Sequence, residues 1–284
     1  MIIVKIIGGL GNQLFQYAAA KALAEHHHTQ VKADISDFEN YTLRNFDLDY
    51  FNTSISIATN EEIQRCKAFT SVQRVKARLT PYPKKHFYKQ PSFAFDSNFF
   101  SLQSNVYLQG YFQSEKYFSS IEKIIQQEFT LKQKLSPEVN QLSQELKNVS
   151  SVALHIRRGD YRNVEAAEVH GVVPITYYQE AIRFIKNKFN DVRFYIFSDD
   201  PGLAKKELNL TEAKIISGIY TKNHFEDLFL MSQCKHNIIA NSSFSWWGAW
   251  LNANPDKIII APKNWFNKGP EDTEDLLPES WIKL

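Results

Sequence analysis

Val152-Ala153-Leu154-His155-Ile156-Arg157-Arg158-Gly159-Asp160-Tyr161 opens as a buried strand and ends as a charged loop. Leu154 and Ile156 fall on one face of such a strand, and His155 and Arg157 on the other. Toward the C-terminus the same kind of apolar run recurs at 193–198, 214–217, 237–240 and 257–261. Helical spacing fills the gaps at 177–188, 201–208, 225–234 and 245–252. The first of these helices is preceded by Thr176-x-x-Gln179, which predicts a capping box. Strand and helix in strict alternation predict a parallel sheet with helices on its faces.

The N-terminal half starts in the same way. A strand over 2–7, the loop Gly8-Gly9-Leu10-Gly11-Asn12-Gln13, a helix over 14–26 and a strand over 31–34 make a βαβ unit. From 36 to 105, with Pro81, Pro83 and Pro91, the pattern is irregular. A strand at 106–109 and helices at 114–129 and 137–147 follow. The change of pattern at 148–151 divides the chain into domains 1–149 and 150–284, an α/β protein of two Rossmann-like domains with parallel sheets.

Composition excludes several classes. The 284 residues are 43% hydrophobic and 23% charged, a soluble globular balance with a core large enough to need no metal or disulfide staple. A net charge of +2 gives no broad nucleic-acid footprint. Cys66 and Cys234 make neither a CxxC nor a zinc spacing and suit a reducing compartment. The short run 1–7, broken by Lys5, reads as neither signal peptide nor membrane span, and a cytoplasmic protein is expected. His26-His27-His28 sits at a helix end, where consecutive side chains diverge too far to share one ion.

Ligands of open parallel sheets bind beyond the carboxyl ends of the strands. There the C-terminal half places Arg157 and Arg158, then Ser198-Asp199-Asp200, then Asn241-Ser242-Ser243-Phe244-Ser245. Guanidinium suits phosphate oxygens, and the serines open a helix whose N-terminus attracts anions. Plainer alternatives stand beside each: an Arg–Asp ion pair with Asp160, N-capping by serine, and Asp199 or Asp200 complementing a helix dipole. The loop Gly9-Leu10-Gly11-Asn12-Gln13-Leu14, with Asp34 downstream, approaches a dinucleotide fingerprint but has Leu14 in place of the third glycine.

Taken in order, Gly8 to Gln13, His155-Ile156-Arg157-Arg158-Gly159-Asp160-Tyr161, Phe197-Ser198-Asp199-Asp200, Asp227 to Ser232 and Asn241 to Trp250 resemble the α-1,2-fucosyltransferases of glycosyltransferase family 11. The resemblance implies a GT-B-like fold and GDP-L-fucose as donor substrate, with no cofactor and no metal. It implies inverting transfer to O2 of a terminal β-galactoside, in a free oligosaccharide or a lipid-linked surface glycan. It also implies a cytoplasmic enzyme, soluble or held peripherally on the inner face of the membrane. By similarity to the α-1,6 and protein O-fucosyltransferases, Arg157 would contact the β-phosphate, Ser243 to Ser245 the diphosphate, and Asp227 the nucleoside, with Asn12 near the donor. The catalytic base stays open among His155, Asp160, Glu165 and His170, Glu165 standing where the α-1,6 enzymes have a carboxylate. A nicotinamide-dependent oxidoreductase and a non-catalytic glycan-binding protein are the competing readings.

Overall fold

The computed structural model describes residues 1–39, 44–67, 70–158, 171–208, 210–270 and 272–284. Two compact units emerge, Met1–Lys132 with Asp272–Pro278, and Gln133–Glu271 with Glu279–Leu284.

In the first unit, β1 (Ile2–Lys5), β2 (Val31–Asp34), β3 (Ser56–Ile57), β4 (Phe87–Lys89) and β5 (Val106–Gln109) form an all-parallel sheet of order β3-β2-β1-β5-β4. Helix α1 (Leu10–His26) links β1 to β2 and is buried along most of its length. The Gly8 turn between them has φ +79°, the left-handed region where glycine is favoured, and a Cβ there would lie 2.8 Å from Asn12 Nδ2. Two glutamines brace this loop from within. Gln13 donates to the carbonyls of Gly8 and Asn45 and accepts from the Asp47 N–H, and Gln16 accepts from the Ile7 N–H.

The irregular stretch contains two short helices, α2 (Asn60–Cys66) and α3 (Ser71–Leu79). Each starts with a complete capping box, Thr59 with Glu62 and Thr70 with Gln73. The helix expected over 114–129 is instead two single 3₁₀ turns, Glu115–Tyr117 and Ser119–Ile121, followed by α4 (Glu122–Glu128). Tyr117 and Phe118 are fully buried there, and packing them sets the path of the chain in place of a continuous helix.

In the second unit, β6 (Ser151–Ile156), β7 (Arg193–Ser198), β8 (Lys214–Ile215), β9 (His236–Ile238), β10 (Ile259–Ala261) and β11 (Ile282–Lys283) form a parallel sheet of order β11-β10-β9-β6-β7-β8. This is the Rossmann strand order, with its reversal between β6 and β9. Helix α5 (Pro137–Asn148) belongs to this unit, because Val139, Leu142 and Leu146 share a core with Ala153, Tyr195 and Phe197 of the sheet. The division therefore falls at 132/133, not at 149/150. The other connections are α6 (Ile175–Lys188), α7 (Pro201–Leu208), α8 (His224–Gln233) and α9 (Ser243–Trp250). The Thr176 capping box does not form. Pro174 occupies the N-cap of α6, which places Thr176 inside the first turn.

Alternation along β6 divides its side chains as the sequence predicts. Val152, Leu154 and Ile156 join the core under α6, and Ala153 joins the core under α5 and α8.

Candidate active site

The reversal in the second sheet puts the ends of β6 and β9 side by side. Arg157 follows directly on β6, and Ile239-Ala240-Asn241-Ser242 lead from β9 into α9. Ser242 is the N-cap of α9, yet its side chain makes no capping bond. The first helical bond runs from the Trp246 N–H to the Ser242 carbonyl, so the N–H groups ahead of it have no acceptor within the helix. An arginine and an open helix N-terminus at a topological switch point are the chemistry that suits a diphosphate.

Helix α9 is held firmly. Trp246 and Trp247 are fully buried, and the Trp246 and Trp250 rings stack at 6.2 Å with Trp281 5.3 Å from Trp246. At Gly248 a Cβ would come within 2.9 Å of Met231, so glycine sets how closely α9 approaches α8. Ser245 is fully buried and its hydroxyl turns back to the Ala240 and Ser242 carbonyls. Asn241, also buried, donates to the carbonyls of Gly171 and Trp265 and ties two loops to the strand end. Among the serine-rich residues, Ser242, Ser243 and Phe244 are thus the ones at the helix opening, while Asn241 and Ser245 brace it from behind.

His155 lies one residue before the strand end, 7% exposed, with its ring 5.8 Å from that of Phe244. Burial, and then the charge of Arg157, push its pKa down to about 3, so the imidazole is neutral.

Arg158 goes elsewhere. Its Nε pairs with Glu207 of α7 at 2.8 Å, one terminal nitrogen reaches the carbonyls of Arg157 and Val173, and the guanidinium lies over Tyr178. This ion pair, buried on the arginine side and exposed at Glu207, is structural. The Arg158 N–H donates to Asp199 Oδ1 at 2.7 Å, which fastens the end of β6 to the end of β7. Asp200 accepts from the Leu203 N–H at 3.1 Å and caps α7. Ser198 accepts from the Asp200 N–H.

Asp227, in the first turns of α8, accepts from Ser217 Oγ at 2.7 Å and Thr221 Oγ1 at 2.5 Å, and Ser217 in turn accepts from the Ser198 N–H. Burial lifts the Asp227 pKa to about 6 against the lowering effect of these hydroxyls. Ser217 and Thr221 follow the third strand of this unit, an end at which the sequence reading placed no candidate. A hydroxyl just past β8 was the available clue.

Asn12 belongs to the first unit, where its Oδ1 accepts from Gln113 at 2.8 Å, joining the first turn of α1 to the loop after β5 at that sheet's own switch point. Asp34 is buried and bonded to Tyr107, Lys67 and Ser36. Burial would raise its pKa, but those partners outweigh it and hold the carboxyl near 2. Being so engaged, Asp34 has no ribose-binding role, and the dinucleotide reading loses its acidic residue. Asp160 and Glu165, together with His170, lie outside the described residues. Among the described residues no group of three His, Cys, Asp or Glu side chains could hold a metal ion, and no helix is long and apolar enough to cross a membrane.

The family model for glycosyl transferase family 11 matches residues 1–284. This chain belongs to glycosyl transferase family 11. Two full-length relatives from Escherichia coli frame it. An alpha-1,2-colitosyltransferase is 33% identical over 100% of this chain and 99% of its own length, and the O-antigen biosynthesis glycosyltransferase WbnK is 35% identical over 98% of each. A galactoside 2-alpha-L-fucosyltransferase of Bos taurus is 29% identical over 51% of this chain and 42% of its own. Among solved structures, the NodZ alpha-1,6-fucosyltransferase determined with GDP-fucose superposes with a TM-score of 0.52 at 13% identity, covering 88% of this chain and 92% of its own. POFUT1 with GDP-fucose gives 0.51 at 11%, covering 92% and 97%. Likeness at that identity establishes the fold of the family 11 glycosyltransferase, an α/β fold of GT-B type.

Proposed function

We propose that this family 11 glycosyltransferase transfers L-fucose from GDP-fucose to O2 of a terminal β-galactoside, with inversion, in the synthesis of a surface polysaccharide. The observation that carries it is the β6/β9 switch point, where Arg157 follows one strand and the other leads into α9, whose N-cap Ser242 makes no side-chain capping bond. The relatives that act on galactosides or in O-antigen biosynthesis support the acceptor side.

In this reaction the acceptor hydroxyl attacks C1 of the sugar as the bond from C1 to the diphosphate oxygen breaks. Charge then grows on the β-phosphate. Arg157 and the α9 N–H groups, with Ser242 and Ser243, stabilise it without a metal. The proton leaves to a base. His155 is buried with its ring beside Phe244, which suits positioning better than meeting an acceptor, so the base is sought among Asp160, Glu165 and His170. Asp227, with its two hydroxyl partners, is assigned to the nucleoside end of the donor.

A second donor has specific support. The relative covered end to end transfers colitose, which is fucose lacking its 3-hydroxyl. The test offers GDP-fucose and GDP-colitose in parallel with lactose and other galactose-terminated disaccharides, followed by NMR of the product. An α-fucose on O2 of galactose is expected. Preference for GDP-colitose transfers the donor assignment to that sugar, and preference for UDP- or ADP-sugars defeats the guanosine donor altogether.

A further inference from the structure

We propose that α3 and the basic segment around it form a docking face for an anionic phospholipid bilayer. Surface helices ordinarily turn their apolar stripe inward. Here Val72, Val75 and Leu79, which share one side of α3 at helical spacing, are 78%, 60% and 79% exposed. The inward contact is made from the other side, where Ala77 packs against the cluster of Ile3, Ile63, Phe87 and Tyr107. Ser71, Lys76 and Thr80 complete the shallow groove along the stripe.

Charge says what covers it. Between Glu62 and Asp96 the chain holds no acidic residue, while Arg65, Arg74, Lys76, Arg78, Lys84 and Lys89 are all exposed. The two remaining cations are engaged inside the unit. Lys67 pairs with Asp34, and Lys85 caps the C-terminus of α3 through the Ala77 and Arg78 carbonyls. By helical geometry Lys76 and Arg78 flank the apolar stripe. An apolar stripe edged with cations suits the interfacial region of a membrane, the stripe entering the acyl boundary and the cations meeting lipid phosphates. A second copy of this chain would bring a like-charged face against it. A nine-residue helix buries too little apolar surface to hold alone, so both signals are required.

The test is co-sedimentation of the full chain with vesicles of phosphatidylcholine, and with vesicles of equal parts phosphatidylcholine and phosphatidylglycerol. Binding to the mixed vesicles alone, weakening as salt rises, is expected. Lys76→Gln with Arg78→Gln should lower that affinity roughly 25-fold, about fivefold per cation. Val72→Ser with Val75→Ser and Leu79→Ser should abolish it. Both variants should keep the wild-type melting temperature and the wild-type rate on a soluble acceptor, which separates this face from the transfer site. Equal binding to both vesicle types, or wild-type binding by the triple serine variant, overturns the proposal. So does a dimer of the wild type in solution that the serine variant turns into a monomer.

Discussion

Two adjacent arginines at the end of one strand have opposite fates. Arg157 follows directly on β6 at the β6/β9 switch point, whereas the Arg158 side chain is tied to Glu207, Tyr178 and two carbonyls. The sequence gives both the same chemistry, and only the third dimension separates them. We therefore expect Arg157→Ala to lower kcat by about 10²–10³ with little change in melting temperature, since one electrostatic stabiliser of the leaving group is lost. Arg157→Lys should recover little, because the planar fork is gone. Near-normal turnover in a folded Arg157→Ala protein would remove the residue from the mechanism. Arg158→Ala should instead show itself in stability, leaving Glu207 without its ion-pair partner and Tyr178 uncovered. A second residue-scale effect concerns acid. His155 is held near 3 when folded and titrates near 6.5 when unfolded, so the unfolded chain takes up the extra proton and stability falls as pH drops below about 6.5. Asp227, raised to about 6, does the reverse between roughly pH 6 and 4, where the folded state binds the proton first. The two offset each other. Asp227→Asn should therefore steepen the acid loss by roughly 1 kcal/mol per pH unit over that range, and His155→Asn should flatten it. Urea titrations at pH 7.5, 6 and 4.5 read both slopes, and parallel slopes in wild type and Asp227→Asn would refute the offset.

At the scale of elements, legibility followed how far each segment depends on its own residues. Strands β6, β7 and β9 read clearly because a buried central strand is a continuous apolar run. Strands β3 and β11 have two residues each, which is too short for any periodicity. Helices α2 and α3 did announce themselves through Thr59-x-x-Glu62 and Thr70-x-x-Gln73, a signal outweighed by the prolines that follow. Ser245 and Asn241 looked like ligand groups because composition cannot tell a serine facing out of a helix start from one folded back beneath it. Helix α9 carries two predictions. An N-capping serine normally loses about 1 kcal/mol on change to alanine. Ser242 makes no capping bond, so Ser242→Ala should cost under about 0.5 kcal/mol in stability while weakening GDP binding by calorimetry; the opposite split would make it a plain cap. Because helix N–H groups and Arg157 take the diphosphate in this scheme, transfer should continue in EDTA. Complete loss restored by manganese or magnesium would mean that a cation holds it instead.

The whole chain is two units, neither of which is continuous. It leaves the first at Lys132, builds the second, returns through Asp272–Pro278, and ends in β11 of the second sheet. In the returning segment Asp272 accepts from the Phe93 and Ala94 N–H groups, and Asp275 accepts from the Phe95 N–H and pairs with Lys116. A chain shortened to begin at Gln133 keeps α5 and with it the buried Val139, Leu142 and Leu146; it should fold and bind GDP. One beginning at Val149 loses α5 from the core it shares with α8 and should aggregate, and equal solubility of the two would contradict the placement of α5 in this core. The returning segment also bears on how such enzymes can be recombined. A single crossover near 132/133 between two relatives would pair each first half with the other parent's Asp272 and Asp275, which have to find backbone amides and a lysine they did not evolve beside. Viable chimaeras should therefore be double exchanges, in which the short strap travels with the half it is fastened to.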